Sequence, residues 1–164
     1  MTTATLDRPE ASGAIGATMS ERTQATIQSR FGPVELDERR QIRFDGGLPG
    51  FPECEVFQLD QPPGVETELL LLQAVDSPEL SFFVMSVSEP SSIIRMEDVA
   101  STARALGISA ENLLLLLIVT FKKNGDGFTK FVNLRAPIFI DVARRLGRQV
   151  VLASPDYSLK FQLT

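Results

Sequence analysis

The sequence contains no histidine and no tryptophan, and Cys54 is its single cysteine among 164 residues. Without histidine, the chain lacks the usual general base, a common transition-metal ligand and the partner on which Ser-His and Cys-His nucleophiles depend. One cysteine allows no internal disulfide and, with no imidazole in the chain, no structural zinc site. The composition therefore predicts a protein that is not an enzyme, with no catalytic residues, no metal and no cofactor.

Basic residues are in the minority, with 16 Lys and Arg against 21 Asp and Glu, which gives a formal net charge of -5 at pH 7. Nucleic-acid binding needs a clustered excess of Lys and Arg to neutralise phosphates, so we expect no direct contact with nucleic acid. Arg144, Arg145 and Arg148 stand around Gly147 and are predicted to form a solvated turn. The acidic balance favours basic protein partners.

Long hydrophobic runs are also absent. The longest, from Leu113 to Phe121 with one threonine inside it, has about half of the ~20 residues that a membrane-spanning helix needs. The first residues carry acids and no apolar stretch of the secretory kind. We therefore expect a cytoplasmic protein with no membrane contact. With 43% hydrophobic residues, the chain can close one core, so a single domain is predicted.

Residues 1–24 are rich in Ala, Thr, Ser and Gly and contain no aromatic residue, which predicts a disordered N-terminal extension. Beyond them, short apolar segments alternate with turn residues, as is typical of an all-β barrel or sandwich. Leu113 to Val119 is apolar without alternation, which indicates a strand buried on both faces, although its leucine content leaves a helix open. The predicted strands are 26–31, 41–44, 55–59, 68–75, 80–87, 113–121, 130–134, 138–142, 149–153 and 158–162.

One segment has the spacing of a helix. Apolar residues recur every three or four positions from Met96 to Leu106, and Gly107 stands where a C-terminal cap belongs. Asn124 to Gly127 is typical of a hairpin turn. The sequence thus predicts a mainly β, single-domain, antiparallel barrel-like fold over 25–164 with one short helix.

Two glycine-rich stretches invite a ligand-binding interpretation. Gly46 to Gly50 lacks the Lys-Ser or Lys-Thr ending of a phosphate loop. Aligned as a calcium loop, Asp126 at position 5 places Lys122 at position 1 and Asn133 at position 12, where acidic ligands are required. Both stretches are predicted to be structural turns.

Several segments, in their order and spacing, resemble the flagellar assembly factor FliW family over roughly 25–157. They are Phe31 to Leu36, Ile42 to Phe51, Leu72 to Asp76, Phe131 to Ile138 and Gly147 to Gln149. The resemblance implies a compact β-barrel-like domain that binds flagellin in the cytoplasm. The resemblance also implies that the protein, released when flagellin is exported, binds the translational regulator CsrA and antagonises it allosterically, which relieves repression of flagellin mRNA. Separately, we expect the free protein to be a monomer.

The polar members of these segments are the candidate partner-binding residues. Gln73, Asp76 and Glu79 belong to one strand-turn-strand corner, and Asn133 and Arg135 share one face if their strand is regular. Glycine, proline and aliphatic members are assigned to turns and core. A small-molecule-binding β-barrel, possibly enzymatic, is the alternative. It requires a polar-lined internal cavity, whereas the Leu and Phe content predicts a filled interior.

Overall fold

The computed structural model describes residues 25–88 and 91–164, so the predicted disordered extension, 1–24, lies outside the described residues. Within them, the chain forms one α-helix and eleven strands, which confirms the mainly β fold with one short helix. The elements are β1 Thr26–Ser29, β2 Gly32–Glu35, β3 Gln41–Arg43, β4 Val56–Asp60, β5 Leu70–Ala74, β6 Ser81–Val87, α1 Met96–Ala105, β7 Leu113–Asn124, β8 Gly127–Val132, β9 Ile138–Asp141, β10 Leu146–Gln149 and β11 Phe161–Leu163.

Nine strands form one sheet in the order β11-β8-β7-β6-β5-β4-β3-β10-β9, while β1 and β2 form a separate antiparallel hairpin. The long strand β7 closes the sheet, because Leu115–Val119 pair with β6 and Leu113–Leu116 pair with β9. Its later residues pair with β8, which pairs in turn with β11. All pairings are antiparallel except the short one between β10 and β3. The seven strands from β7 to β9 in this order thus form a closed ring, the barrel, and β8 and β11 extend the sheet beyond it.

Strand β7 is buried on both faces, as its unbroken apolar run predicts. Leu116 belongs to the core inside the barrel, where Leu114 and Ile118 pack against it. Leu115, Leu117 and Val119 belong to a second core outside the barrel wall. Because side chains alternate along a strand, one leucine-rich strand supplies both cores.

Helix α1 covers the second core with its apolar face. Val99 and Ala103 are its buried residues, and they pack with Leu115 and Tyr157 in the same cluster. The helix ends at Ala105, and Gly107, with a φ of 73°, forms the predicted C-terminal cap. The Ile108 amide donates to the Ala103 carbonyl at 2.9 Å and the Gly107 amide to the Arg104 carbonyl at 3.1 Å, the bond pair of a Schellman cap.

Several strand boundaries differ from those predicted. The first predicted strand, 26–31, ends at Ser29, whose hydroxyl donates to the Gly32 carbonyl in a turn, and β2 follows it unpredicted. The predicted strand 149–153 lies instead at Leu146–Gln149, so the predicted turn is correct for Arg144 and Arg145 but wrong for Gly147 and Arg148. The physical reason is that the Asp141 carboxylate accepts from two amides of the preceding turn, which shortens it.

Candidate protein-interaction site

The turn between β5 and β6 presents two of the predicted contact residues to solvent. Asp76 and Glu79 are exposed, and the turn between them is closed by the Leu80 amide, which donates to the Ser77 carbonyl at 2.9 Å. The Ala74 amide donates to the Leu80 carbonyl at 2.9 Å, which joins the two strand ends. The two carboxylates therefore stand on a short turn whose backbone is fixed. We call residues 75–80 the acidic turn.

Gln73 lies beneath the acidic turn and does not reach solvent, since its exposure is 0%. Its amide nitrogen lies 3.0 Å from the Ala74 carbonyl oxygen, 3.1 Å from that of Pro78 and 3.1 Å from that of Leu80. The side-chain oxygen has no hydrogen-bond partner within the described residues. Gln73 thus braces the turn through its two amide hydrogens, and in this conformation it offers a partner no surface.

The glycine-rich loop 44–55 supports the acidic turn from the other side. The buried Cys54 thiol lies 3.3 Å from the Ser77 hydroxyl, so loop and turn are in contact. Gly47 has a φ of 71°, and a Cβ there would lie 2.2 Å from the Phe51 carbonyl oxygen. Only glycine fits this close approach, which confirms the structural turn predicted for Gly46 to Gly50.

Asn133 and Arg135 lie in a bend, not in the strand predicted over 130–134. Strand β8 ends at Val132 because the Asn133 side-chain oxygen accepts from the Arg135 amide at 3.1 Å and from the Ala136 amide at 3.0 Å. Such side-chain acceptance replaces strand pairing. The shared strand face predicted for Asn133 and Arg135 is therefore wrong. Arg135 is half-buried, and its carbonyl accepts from the Leu152 amide.

The structure does not bring the two groups of predicted residues together. Strands β6 and β7 lie between β5, which carries Gln73, and β8, which precedes Asn133. Of the five residues, Asp76 and Glu79 are exposed, Asn133 and Arg135 are half-buried, and Gln73 is buried. That any of them contacts a partner stays a prediction.

A polar cluster ties α1 to the C-terminal part of the chain. The Tyr157 hydroxyl donates to the Asp98 carboxylate, and the Arg95 guanidinium lies 3.1 Å from that carboxylate and 2.9 Å from the Ser154 hydroxyl. The hydrogen bond from Tyr157, together with the Arg95 charge, lowers the pKa of Asp98. The cluster thus fastens the start of the helix to the C-terminal part of the chain.

The interior of the barrel is filled by side chains. Ile42, Phe44, Phe57, Leu72 and Leu116 pack there with almost no exposure. A groove of about 680 Å³ lies outside the barrel between α1 and β6–β7 and is lined mainly by aliphatic side chains. Within the same residues no group of three acidic or cysteine side chains is placed to hold a metal ion, and no helix is long and apolar enough to span a membrane.

Comparison with known proteins decides the family. The model of the FliW protein family matches residues 25–163. This range contains the barrel, the acidic turn and the bend at Asn133. The chain belongs to the FliW family. Its membership confirms the resemblance drawn from the ordered segments, and similar proteins of the family are named flagellar assembly factors.

Similar proteins agree in sequence and in structure. A flagellar assembly factor FliW of Geobacillus sp. (strain WCH70) is 36% identical over 135 residues, which cover 80% of this chain and 90% of that protein. A FliW of Geobacter sulfurreducens is 32% identical over 133 residues, covering 80% and 81%. A crystal structure of the flagellar assembly factor FliW superposes with a TM-score of 0.67 at 34% identity, covering 84% of this chain and 96% of that one.

One group of exposed residues, on the hairpin of β7 and β8, was not predicted from the sequence. The hairpin of β7 and β8 carries Phe121 and Phe128 with exposures of 43% and 71%, beside lysines that the sequence treatment did not single out. Their spacing along two strands is the signal that could have found them, because a hairpin turn at Asn124 to Gly127 places residues on either side of it face to face.

Proposed function

We propose that this FliW family member is a non-catalytic protein that binds flagellin in the cytoplasm and, when free, binds CsrA as a monomer. Binding to CsrA antagonises that regulator allosterically and relieves repression of flagellin mRNA translation. Family membership supports this partner exchange. The structural observation that carries it is the acidic turn, because it offers a preorganised, negatively charged surface to a protein partner.

The acidic turn suits a basic partner for two reasons. Asp76 and Glu79 are exposed and unpaired with any basic side chain among the described residues, so no internal ion pair has to break on binding. The backbone that carries them is held by Gln73 and by the contact between Cys54 and Ser77, which reduces the ordering cost of association.

The proposal is tested by titrating the purified protein with purified CsrA and, separately, with the cognate flagellin. We expect a complex with each at micromolar concentrations, and we expect flagellin to release CsrA from the preformed complex. Asp76→Lys with Glu79→Lys should weaken CsrA binding about tenfold, since two attractive contacts become repulsive.

The matched control is Glu66→Lys with Glu68→Lys, which makes the same charge change at two exposed acids in the connection before β5. This variant should bind CsrA within about twofold of the unmodified chain, since distant exposed charges are screened by salt. No complex with either protein at micromolar concentrations would overturn the proposed function. Equal weakening by both double variants would show that net charge, not the acidic turn, governs binding.

A further inference from the structure

All four lysines of the chain lie on one part of the fold. Lys122 and Lys123 are on β7, Lys130 is on β8, and Lys160 immediately precedes β11. Each is exposed, and within the described residues none forms an ion pair with an acidic side chain. Together with Asp126 they give this part a side-chain charge of +3. Since the net charge is -5, the rest of the chain carries -8.

These lysines belong to the three-stranded extension that projects beyond the barrel ring. It consists of residues 120–132, which include the end of β7 and all of β8, together with residues 160–163, which include β11, and we call it the lysine extension. Residues 120 to 128 are all exposed, so the hairpin stands away from both cores. A positive extension on a negative protein directs an anionic partner to one place.

Lysine and phenylalanine side chains share one face of the lysine extension. Phe121 is directly opposite Lys130, and Lys123 is directly opposite Phe128, so these four side chains point to the same side of the sheet. Lys122 points to the other side because neighbours along a strand alternate. At the base of this face, Phe121 packs edge-on against Phe83 with ring centroids 5.4 Å apart.

The backbone of the lysine extension also has an open edge. Pairing between β6 and β7 ends at Phe83 and Val119, whereas β7 continues to Asn124 and pairs there only with β8. No other backbone hydrogen bond reaches 120–124 within the described residues. An extended peptide can add to such an edge through main-chain hydrogen bonds.

We propose that the lysine extension is a second interaction surface, distinct from the acidic turn, that takes an acidic and partly apolar segment of a protein partner as an added strand beside β7. An acidic side chain of the segment pairs with Lys123 on β7, and an apolar side chain two positions away packs on Phe121. Lys130, on β8, adds positive charge to the same face. The open edge favours a polypeptide over single-stranded nucleic acid, because only a polypeptide backbone can continue the sheet.

The test titrates a short fluorescent peptide with the purified chain at low salt. Every second residue of the peptide is threonine, and the positions between the threonines are alternately glutamate and leucine. We expect binding that weakens as salt is raised, and that weakens about tenfold in Lys123→Glu with Lys130→Glu. The control is Lys122→Glu with Lys160→Ala, which lowers the charge of the same extension and leaves Lys123 and Lys130 unchanged. Its affinity for the peptide should fall by about threefold at most. Unchanged thermal unfolding of each variant shows that the fold is intact.

Two further probes decide the identity of the ligand. A peptide of the same composition in scrambled order should bind more weakly, because it lacks the alternation that a strand requires. Equal binding of the two peptides, or equal losses in both double variants, would overturn strand addition. Tighter binding of labelled oligouridine than of the peptide would show a nucleic-acid surface instead. If the charge-reversed variants bind the peptide normally but self-associate, the lysines serve to keep the open edge from pairing with other copies.

Discussion

Replacing Gln73 with methionine removes its hydrogen bonds at nearly constant volume. The amide has two hydrogens, shared among the Ala74, Pro78 and Leu80 carbonyls, so two hydrogen bonds are lost at a site with 0% exposure. Two buried bonds are worth roughly 2–3 kcal/mol together, and the Leu80 carbonyl keeps the Ala74 amide as a donor. The substitution also removes the side-chain oxygen, which has no partner among the described residues, and this returns about 1 kcal/mol. We expect a net loss of about 1–2 kcal/mol in the free energy of unfolding.

This loss corresponds to a fall of about 5 °C in Tm for a domain of this size. It is measured by urea and thermal unfolding followed by circular dichroism, with CsrA affinity determined on the same preparations below the unfolding range. Because a loosened turn still carries Asp76 and Glu79, we expect affinity to fall only modestly, by about threefold.

The opposite pattern would refute the reasoning about Gln73. Unchanged stability together with a loss of CsrA binding as large as that of the Asp76 and Glu79 variant would show that Gln73 contacts the partner directly. Gln58→Met provides the positive control for stability. Gln58 is equally buried, but both ends of its amide are bonded, to the Asp37 amide, to the Glu35 carbonyl and to Asp60, so its replacement should cost more than that of Gln73.

Two further variants test the packing and the acid response. In Gly147→Ala the new Cβ would lie 2.5 Å from the Phe44 ring, and overpacking should lower the free energy of unfolding by about 1–3 kcal/mol in urea titrations; no loss would show that Phe44 moves aside freely. Asp98 has a lowered pKa in the folded chain because of Tyr157 and Arg95, so its contribution to stability is present above its unfolded pKa near 3.8 and disappears as the pH falls through the folded value. Asp98→Asn should therefore destabilise the protein at neutral pH and converge with the unmodified chain in acid; a constant difference across the pH series would refute the ionic role.

The sequence predicted the fold where one local pattern decides the outcome. The unbroken apolar run of β7, the spacing of α1 and the cap at Gly107 each follow from short-range physics, and each is confirmed. Boundaries set by side chains that accept backbone hydrogen bonds were missed. Asn133 ends β8 through the Arg135 and Ala136 amides, and no periodicity in the sequence reports such a bond.

The candidate site was only partly predictable for a related reason. The segments through which the chain resembles its family contain residues that shape turns, such as Gln73, Asn133 and Gly47, so the resemblance identifies the scaffold more directly than the contacts. Exposed groups outside those segments are not identified by the resemblance at all. Lys123 and Phe128 are five positions apart along the chain and become neighbours only because the hairpin register places them opposite each other. The acidic turn and the lysine extension thus give one small barrel two surfaces of opposite charge. We expect a basic partner to bind the first and an acidic partner the second. Because the two surfaces are separate, substitutions in one should leave binding at the other unchanged.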